Sequence, residues 1–212
     1  MPDDHQCSAC SLSADAYRCL DCGLGAPLLC GSCCLQVHQS SPFHRIQHWN
    51  GQFFAAASLN DLGLIIHMGH DGHPCPSYIM GEEAFLDIGF EDTVQTAEDI
   101  PDQPDSDLLL GQQTKSWEES PSSSNQVLFV ASTGVHKRRV KWCQCPNAPE
   151  HHIQLFRIHL FSATISRPST AFTFDVLDQF YIEAMECKTA AYNFFNKLRR
   201  LTNNAFPASV PV

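Results

Sequence analysis

Three observations predict an α+β chain. The first forty-four residues carry three C-x2-C pairs, Cys7/Cys10, Cys19/Cys22 and Cys30/Cys33, followed by His38 and His44. Beyond residue 125 the apolar residues first alternate, as in strands. After Pro168 they switch to a period near 3.6, as in helices. The expected organisation is a small zinc-stabilised module with its extension over 1–80, an acidic, Ser/Pro-rich disordered linker over 81–125, short strands followed by a C-terminal helical pair over 126–204, and a tail over 205–212.

The N-terminal run supplies eight thiolate and imidazole donors, enough for two four-coordinate sites with no position left open for substrate. Such closed sites are structural rather than catalytic. Spacing alone allows consecutive or alternating pairing of the ligand pairs. Residues 28–39 alternate apolar and ligand positions at helical spacing, so Cys34, one residue past Cys33, turns away from an ion and packs. Residues 44–49 read as a short strand leaving the module. Residues 53–66 are apolar enough to pack against it, with Asn60-Asp61 marking a turn or helix start.

A second, wider constellation surrounds the acidic stretch. His70-Asp71-Gly72-His73-Pro74-Cys75 precedes it, and Cys143-Gln144-Cys145 with His151-His152 follows. His70, Cys75, Cys143 and Cys145 form the expected set for a third zinc, which would tie the two ordered regions together. His67, His136 and His159 read as ordinary surface or core histidines.

The formal net charge is -10, yet 12 acidic residues and one lysine lie between Glu82 and Glu119. The rest carries 11 acids against 12 Lys and Arg and is close to neutral. The acidic composition cannot bury enough apolar surface to offset chain entropy. Two apolar islands inside it, 84–90 and 108–110, receive no assignment.

Past the linker, residues 127–130 and 135–142 are expected to pair as strands around Thr133-Gly134, and 153–161 to continue the β character. Phe172, Val176, Leu177, Phe180, Tyr181 and Ala184 fall on one helical face, with Ser169 or Thr170 as the cap. Ala190, Ala191, Phe194, Phe195, Leu198 and Leu201 form a second face, stopped by Asn203-Asn204 and Pro207. Arg199 and Arg200 suit the helix end.

Within the strand region, Lys137, Arg138, Arg139 and Lys141 form a candidate nucleic-acid contact, with Trp142 able to stack on a base. A strand with one solvated charged face is the competing reading. No P-loop, dinucleotide fingerprint, nucleophile elbow or H-E-x-x-H is present, so the sequence predicts no enzyme. Eleven cysteines without a signal-peptide pattern suit a reducing intracellular compartment. No apolar run reaches membrane-spanning length.

The N-terminal ligand order resembles a B-box zinc finger, a cross-brace in which ligand pairs one and three share one ion and pairs two and four the other. That resemblance implies Cys7, Cys10, Cys30 and Cys33 at site 1, and Cys19, Cys22, His38 and His44 at site 2. Longer blocks are similar to the CxC2-like cysteine cluster of fungal KDZ (Kyakuja-Dileera-Zisupton) transposases. They include Leu29-Cys30-Gly31-Ser32-Cys33-Cys34-Leu35, Pro42 to Gly51, Asp61-Leu62-Gly63-Leu64, Gly69-His70 and Cys75-Pro76. Later blocks are Cys143-Gln144-Cys145, Ile153-Gln154-Leu155, Phe161-Ser162-Ala163-Thr164, Arg167 to Phe174 and Leu201-Thr202-Asn203-Asn204.

This resemblance implies a non-catalytic zinc module of a transposable-element protein, located in the nucleus. Its expected partners are DNA, a transposase catalytic domain or another protein, with no membrane and no small-molecule substrate. The family's catalytic part would lie beyond residue 204, so a chain ending at Val212 is expected to be a truncated or fragment copy. The alternative is a B-box-like protein-interaction module without a nucleic-acid role.

Overall fold

The computed structural model describes residues 6–12, 16–23, 25, 27–77 and 125–211. The expected linker and its two apolar islands fall outside the described residues, apart from Asn125. The described residues fold as α+β, with two sheets and four α-helices.

The N-terminal module is a three-stranded antiparallel sheet of β1 (Tyr17–Cys19), β2 (Ile46–Trp49) and β3 (Phe54–Ala57), with α1 (Gly31–Val37) packed beside it. Its buried core is small. Leu29, Ile46, Leu59 and Leu64 provide the aliphatic part, and Cys7, Cys19, Cys30 and Cys34 the remainder. Cys34 is 1 % exposed and lies in this core, as its helical position predicts.

The second sheet has the order β4-β6-β5-β8-β7. Its strands are β4 (Ile65–His67), β5 (Gln126–Ala131), β6 (Gly134–Lys141), β7 (Leu160–Ser162) and β8 (Thr170–Thr173). β5 and β6 form the antiparallel hairpin expected around Thr133-Gly134. β4 comes from before the acidic stretch and pairs in parallel with β6, Ile65 opposite Arg139 and His67 opposite Lys141. The ladder is prolonged where Met68 N–H donates to the Lys141 carbonyl at 2.8 Å.

Side-chain alternation along β5 and β8 builds a core on each face of this sheet. Val127, Phe129 and Ala171 face one core with Met68, Trp142 and Leu155. Val130 and Phe172 face the other, filled by Val176 of α3 (Phe174–Glu186) and by Phe194 and Leu198 of α4 (Ala191–Thr202). Gly134 has φ +138°, a conformation open to glycine, and a Cβ there would run into Thr202 Oγ1. The contact is used: Thr202 Oγ1 accepts from Val135 N–H at 2.7 Å and docks the end of α4 on the hairpin.

Two local expectations are corrected. Residues 153–161 are not a continuing strand: α2 (His151–Arg157) occupies most of them, and only β7 is extended. Period two fitted Ile153, Leu155 and Phe161, but in the fold Gln154 and Leu155 are both buried while Ile153 and Phe156 stay exposed, a helical arrangement. The next helix does not start at Ser169 or Thr170. Those residues lead into β8, which takes its backbone partners from β5, and the helix begins at Phe174 with Thr173 as N-cap.

The module and the second sheet are bracketed by buried polar groups. Arg138, 3 % exposed, donates from Nε to the Pro42 carbonyl at 2.8 Å and from its terminal nitrogens to Ser58 Oγ, the Lys137 carbonyl and His136 Nδ1. Arginine can only donate, so His136 Nδ1 carries no proton and Nε2–H donates to Thr133 Oγ1 at 3.0 Å. Thr133 in turn donates to the Phe43 carbonyl at 2.5 Å.

Burial, with Arg138 alongside, holds the His136 pKa down at about 3, against an ordinary value of 6.5. The folded state therefore binds this proton less readily than the unfolded chain. The resulting stability is complete above about pH 6.5 and is lost as the pH falls towards 3. Between pH 7.5 and 5.5 this one group is expected to remove roughly 1.4 kcal/mol. Denaturant midpoints of wild type and His136→Gln at both pH values check it: the variant should show the smaller drop, and equal drops would refute the assignment.

Candidate metal centres

Site 1 is assembled from two tight turns. Cys7 and Cys10 flank a turn in which Ser11 N–H donates to the Cys7 carbonyl at 2.7 Å. Cys30 is the N-cap of α1 and Cys33 lies in its first turn. Cys10 and Cys30 Sγ are 3.8 Å apart, and Ser32 Oγ lies 3.2 Å from Cys30 Sγ. Site 2 joins Cys19 at the end of β1, Cys22 in the following turn, His38 at the C-terminus of α1 and His44 just before β2. Cys22 Sγ is 3.3 Å from both His38 Nε2 and His44 Nδ1, and Cys19 Sγ is 3.5 Å from His44 Nδ1.

Pairs one and three thus converge, as do pairs two and four, with all ligand atoms of each set within 4.8 Å of one another. His38 is fully buried, and its Nδ1 donates to the Cys34 carbonyl at 2.7 Å. That bond leaves Nε2 unprotonated, with its lone pair facing Cys22, the arrangement metal-bound histidines use. Burial lowers the His44 pKa and favours the neutral ring a metal needs. The loop carrying His44 is pinned by Arg45, which binds Asp21 through its guanidinium and its backbone N–H. Burial alone would raise the Asp21 carboxyl, but these hydrogen bonds outweigh it and lower the pKa.

Site 3 joins residues from either side of the acidic stretch. Cys75 Sγ lies 3.9 Å from Cys143 and 3.6 Å from Cys145, and His70 Nε2 lies 3.2 and 3.4 Å from the same two sulfurs. Gly69, at φ +83°, brings the chain against Cys143, whose Cβ would be 3.2 Å from any added Cβ. His151 and His152 stay out of this set: His151 stacks on Trp142, and His152 lies 3.4 Å from Glu150.

The fit to an ion can be tested on these distances. A tetrahedral ion with sulfur ligands near 2.3 Å and nitrogen ligands near 2.05 Å separates sulfur pairs by about 3.8 Å and sulfur from nitrogen by roughly 3.5 Å. The observed spacings fall close to both values. Charge agrees with geometry. The backbone N–H of Cys30 lowers Cys7 to about 6, whereas the hydrogen bond from Cys30 pushes Cys33 up to about 12. At site 3 the Gln144 backbone N–H lowers Cys75 to about 6 while Cys143 is raised. Four adjacent thiols cannot all ionise by themselves; a divalent cation removes that restriction.

Residues 108–206 match the family model described as "CxC2 like cysteine cluster associated with KDZ transposases". This segment is a CxC2 cysteine cluster. It is a non-catalytic family, and no curated protein or solved structure matches the chain. The matched CxC2 segment contains Cys143 and Cys145, whereas His70, Cys75 and the eight ligands of sites 1 and 2 precede it.

Sequence reasoning missed the residue that holds the CxC2 segment's C-x-C turn. Gln154, 2 % exposed, accepts from Cys143 N–H at 2.9 Å and donates to the Cys143 and Pro149 carbonyls at 3.2 and 2.8 Å. Its place in the Ile153-Gln154-Leu155 block was the only signal. Gln154→Leu is expected to weaken the third metal by 10- to 100-fold, the usual cost of losing a support behind a ligand. Competition with a metal indicator reads this, and sites 1 and 2 should be unaffected.

The expected basic contact is only partly available. Arg138 is buried in the bracket described above, and Arg139 donates to the Asn60 carbonyl at 3.2 Å. Lys137 is exposed and Lys141 half-buried. Trp142 is 7 % exposed and stacked on His151 at 4.1 Å, so it offers no face to a base. Among the described residues no helix is long and apolar enough to cross a membrane.

Proposed function

We propose that this chain is a zinc-binding, non-catalytic module of transposase origin that acts in the nucleus by docking on DNA. The observation that carries the zinc reading is the donor sets. Site 1 offers four thiolates, site 2 two thiolates and two imidazoles, and site 3 three thiolates and one imidazole. Such sets at tetrahedral spacing suit zinc and disfavour the hard ions that take oxygen ligands. Each set is complete, so none leaves a position for substrate or activated water. The CxC2 match supports transposase origin, and with it DNA as the partner.

Native mass spectrometry of the chain purified without chelator should find three zinc ions per molecule. Two ions that persist in Cys143→Ser/Cys145→Ser would remove the third site. Titration with duplex DNA across salt concentrations tests the partner, and an absence of salt-dependent binding would sink that part of the reading.

A B-box-like protein-interaction module is the second reading. It is favoured by exposed apolar side chains on the C-terminal helices, Tyr181 at 66 %, Ile182 at 59 %, Met185 at 54 % and Tyr192 at 75 %. Salt-insensitive self-association or partner binding that is lost in Ile182→Asp would favour it over DNA.

A further inference from the structure

A cleft of about 1100 Å³ lies where the three-stranded sheet, β6 and α4 meet. Asn193, Asn196, Lys197 and Arg200 are spaced i, i+3, i+4 and i+7, so a single face of α4 supplies all four to one wall. Lys137 of β6 also lines it, and Asn203 and Asn204 continue the polar rim past the helix end. Among the described residues, five cations, Arg45, Lys137, Arg138, Lys197 and Arg200, line the cleft against one carboxylate, Asp61.

The five are not equivalent. Arg138 is consumed by the bracket, Arg45 by Asp21 and the Leu201 carbonyl, and Lys197 by Glu183 and the face of Phe194. Lys137 and Arg200 are exposed and have no partner among the described residues. Arg138, held only by neutral groups, still adds its charge to the local potential, and the two free cations can follow an anion.

The lining decides which anion. Among the described residues no tryptophan, tyrosine or phenylalanine lines the cleft, so these residues offer no stacking platform of the kind single-strand binding uses. Cations beside amide side chains suit phosphate and sugar oxygens, which position a duplex without reading its sequence. We propose that this cleft docks the phosphate backbone of duplex DNA, with Lys137 and Arg200 as the two mobile charges and the α4 asparagines as hydrogen-bonding partners. The assignment rests on the DNA-docking reading above and places it on a cleft that Arg139 and Lys141 do not line.

The test uses the full zinc-loaded chain and fluorescence anisotropy of a labelled 20-bp duplex. Lys137→Gln/Arg200→Gln should weaken binding on the order of tenfold near 100 mM salt and flatten the salt slope by about 2, roughly 1 per charge. Arg139→Gln/Lys141→Gln serves as the control of equal charge. Unchanged zinc content and melting confirm that the surface variants fold. If the control pair weakens binding and the cleft pair does not, the cleft is wrong while DNA docking stands. If wild type does not bind duplex at all, both fall. If polyglutamate binds more tightly than duplex at equal ionic strength, the cleft belongs to an acidic protein segment and the proposal is overturned.

Discussion

Removing metal with a strong chelator at neutral pH is expected to unfold the N-terminal module, with loss of the β1-β2-β3 sheet. The buried core there contains four aliphatic side chains, each contributing about 1.5–3 kcal/mol. The other four buried members are cysteines, most of them directed at ligand clusters rather than at packing alone. A structural zinc contributes an apparent 10–16 kcal/mol or so in small modules, so two such ions outweigh the apolar part. Without them the raised Cys33 and Cys19 would stay protonated, the lowered Cys7 would be an uncompensated thiolate, and the clusters would have little reason to converge.

The readouts are near-ultraviolet circular dichroism, where Tyr17 and the Trp49–Phe54 pair at 5.1 Å report on this sheet, and exchange of the β2 amides. Cys22→Ser should retain one ion fewer and lose most of the module's protection, because three remaining donors leave site 2 open. A metal-free chain with unchanged spectrum and exchange would mean that the clusters are ordinary buried cysteines.

The second large effect concerns the joint between the two parts of the chain. His70 and Cys75 precede the acidic stretch and Cys143 and Cys145 follow it, so a site 3 ion binds both parts. With a protease site engineered between residues 100 and 101, the cut wild-type protein should remain a single species at micromolar concentration. The β4–β6 ladder, Arg138 on Pro42 and Ser58, Arg45 on the Leu201 carbonyl, and Phe43 in the sheet core all add to the joint.

In Cys143→Ser/Cys145→Ser the same cut should weaken association at least about 1000-fold, equivalent to roughly 4 kcal/mol. Two half-sites cannot hold the ion separately, and the variant keeps only half of the donor set. Size-exclusion chromatography of both cut proteins distinguishes the cases. Separation of the wild-type pieces, or equal retention by the double variant, would show that the ion does not join them.

The elements most legible in the sequence were those whose pattern is local. C-x2-C spacing announced metal ligands because a tight turn brings residues i and i+3 to one ion. The Thr133-Gly134 hairpin and the apolar stripe of α4 were likewise written in short-range periodicity. Residues 153–157 of the expected 153–161 strand were misread because alternation in a stretch that short fits either element. The decision came from Gln154, whose buried amide is satisfied only by the turn ahead of it. The start of α3 was misplaced because Thr170–Thr173 has a partner strand, β5, that lies 40 residues away and leaves no local mark.

The basic stretch shows the same limit. A strand face is named by alternation, yet which of Lys137, Arg138 and Arg139 is free depends on what is packed against them. Arg138 proved to be the bracket to Pro42, while the exposed Arg200, read only as a helix-end charge, lines the same cleft as Lys137.

The sequence by itself determined the α+β class, the donor types and the order in which they occur, because thiolates, imidazoles and hydrophobic periods are properties of short segments. The tertiary structure alone decided that β4 joins the sheet formed after the acidic stretch, that Arg138 is buried, and that α4, β6 and the N-terminal sheet enclose a common cleft. Those facts depend on contacts between residues 70 to 160 positions apart, and only packing and backbone pairing in three dimensions select among them.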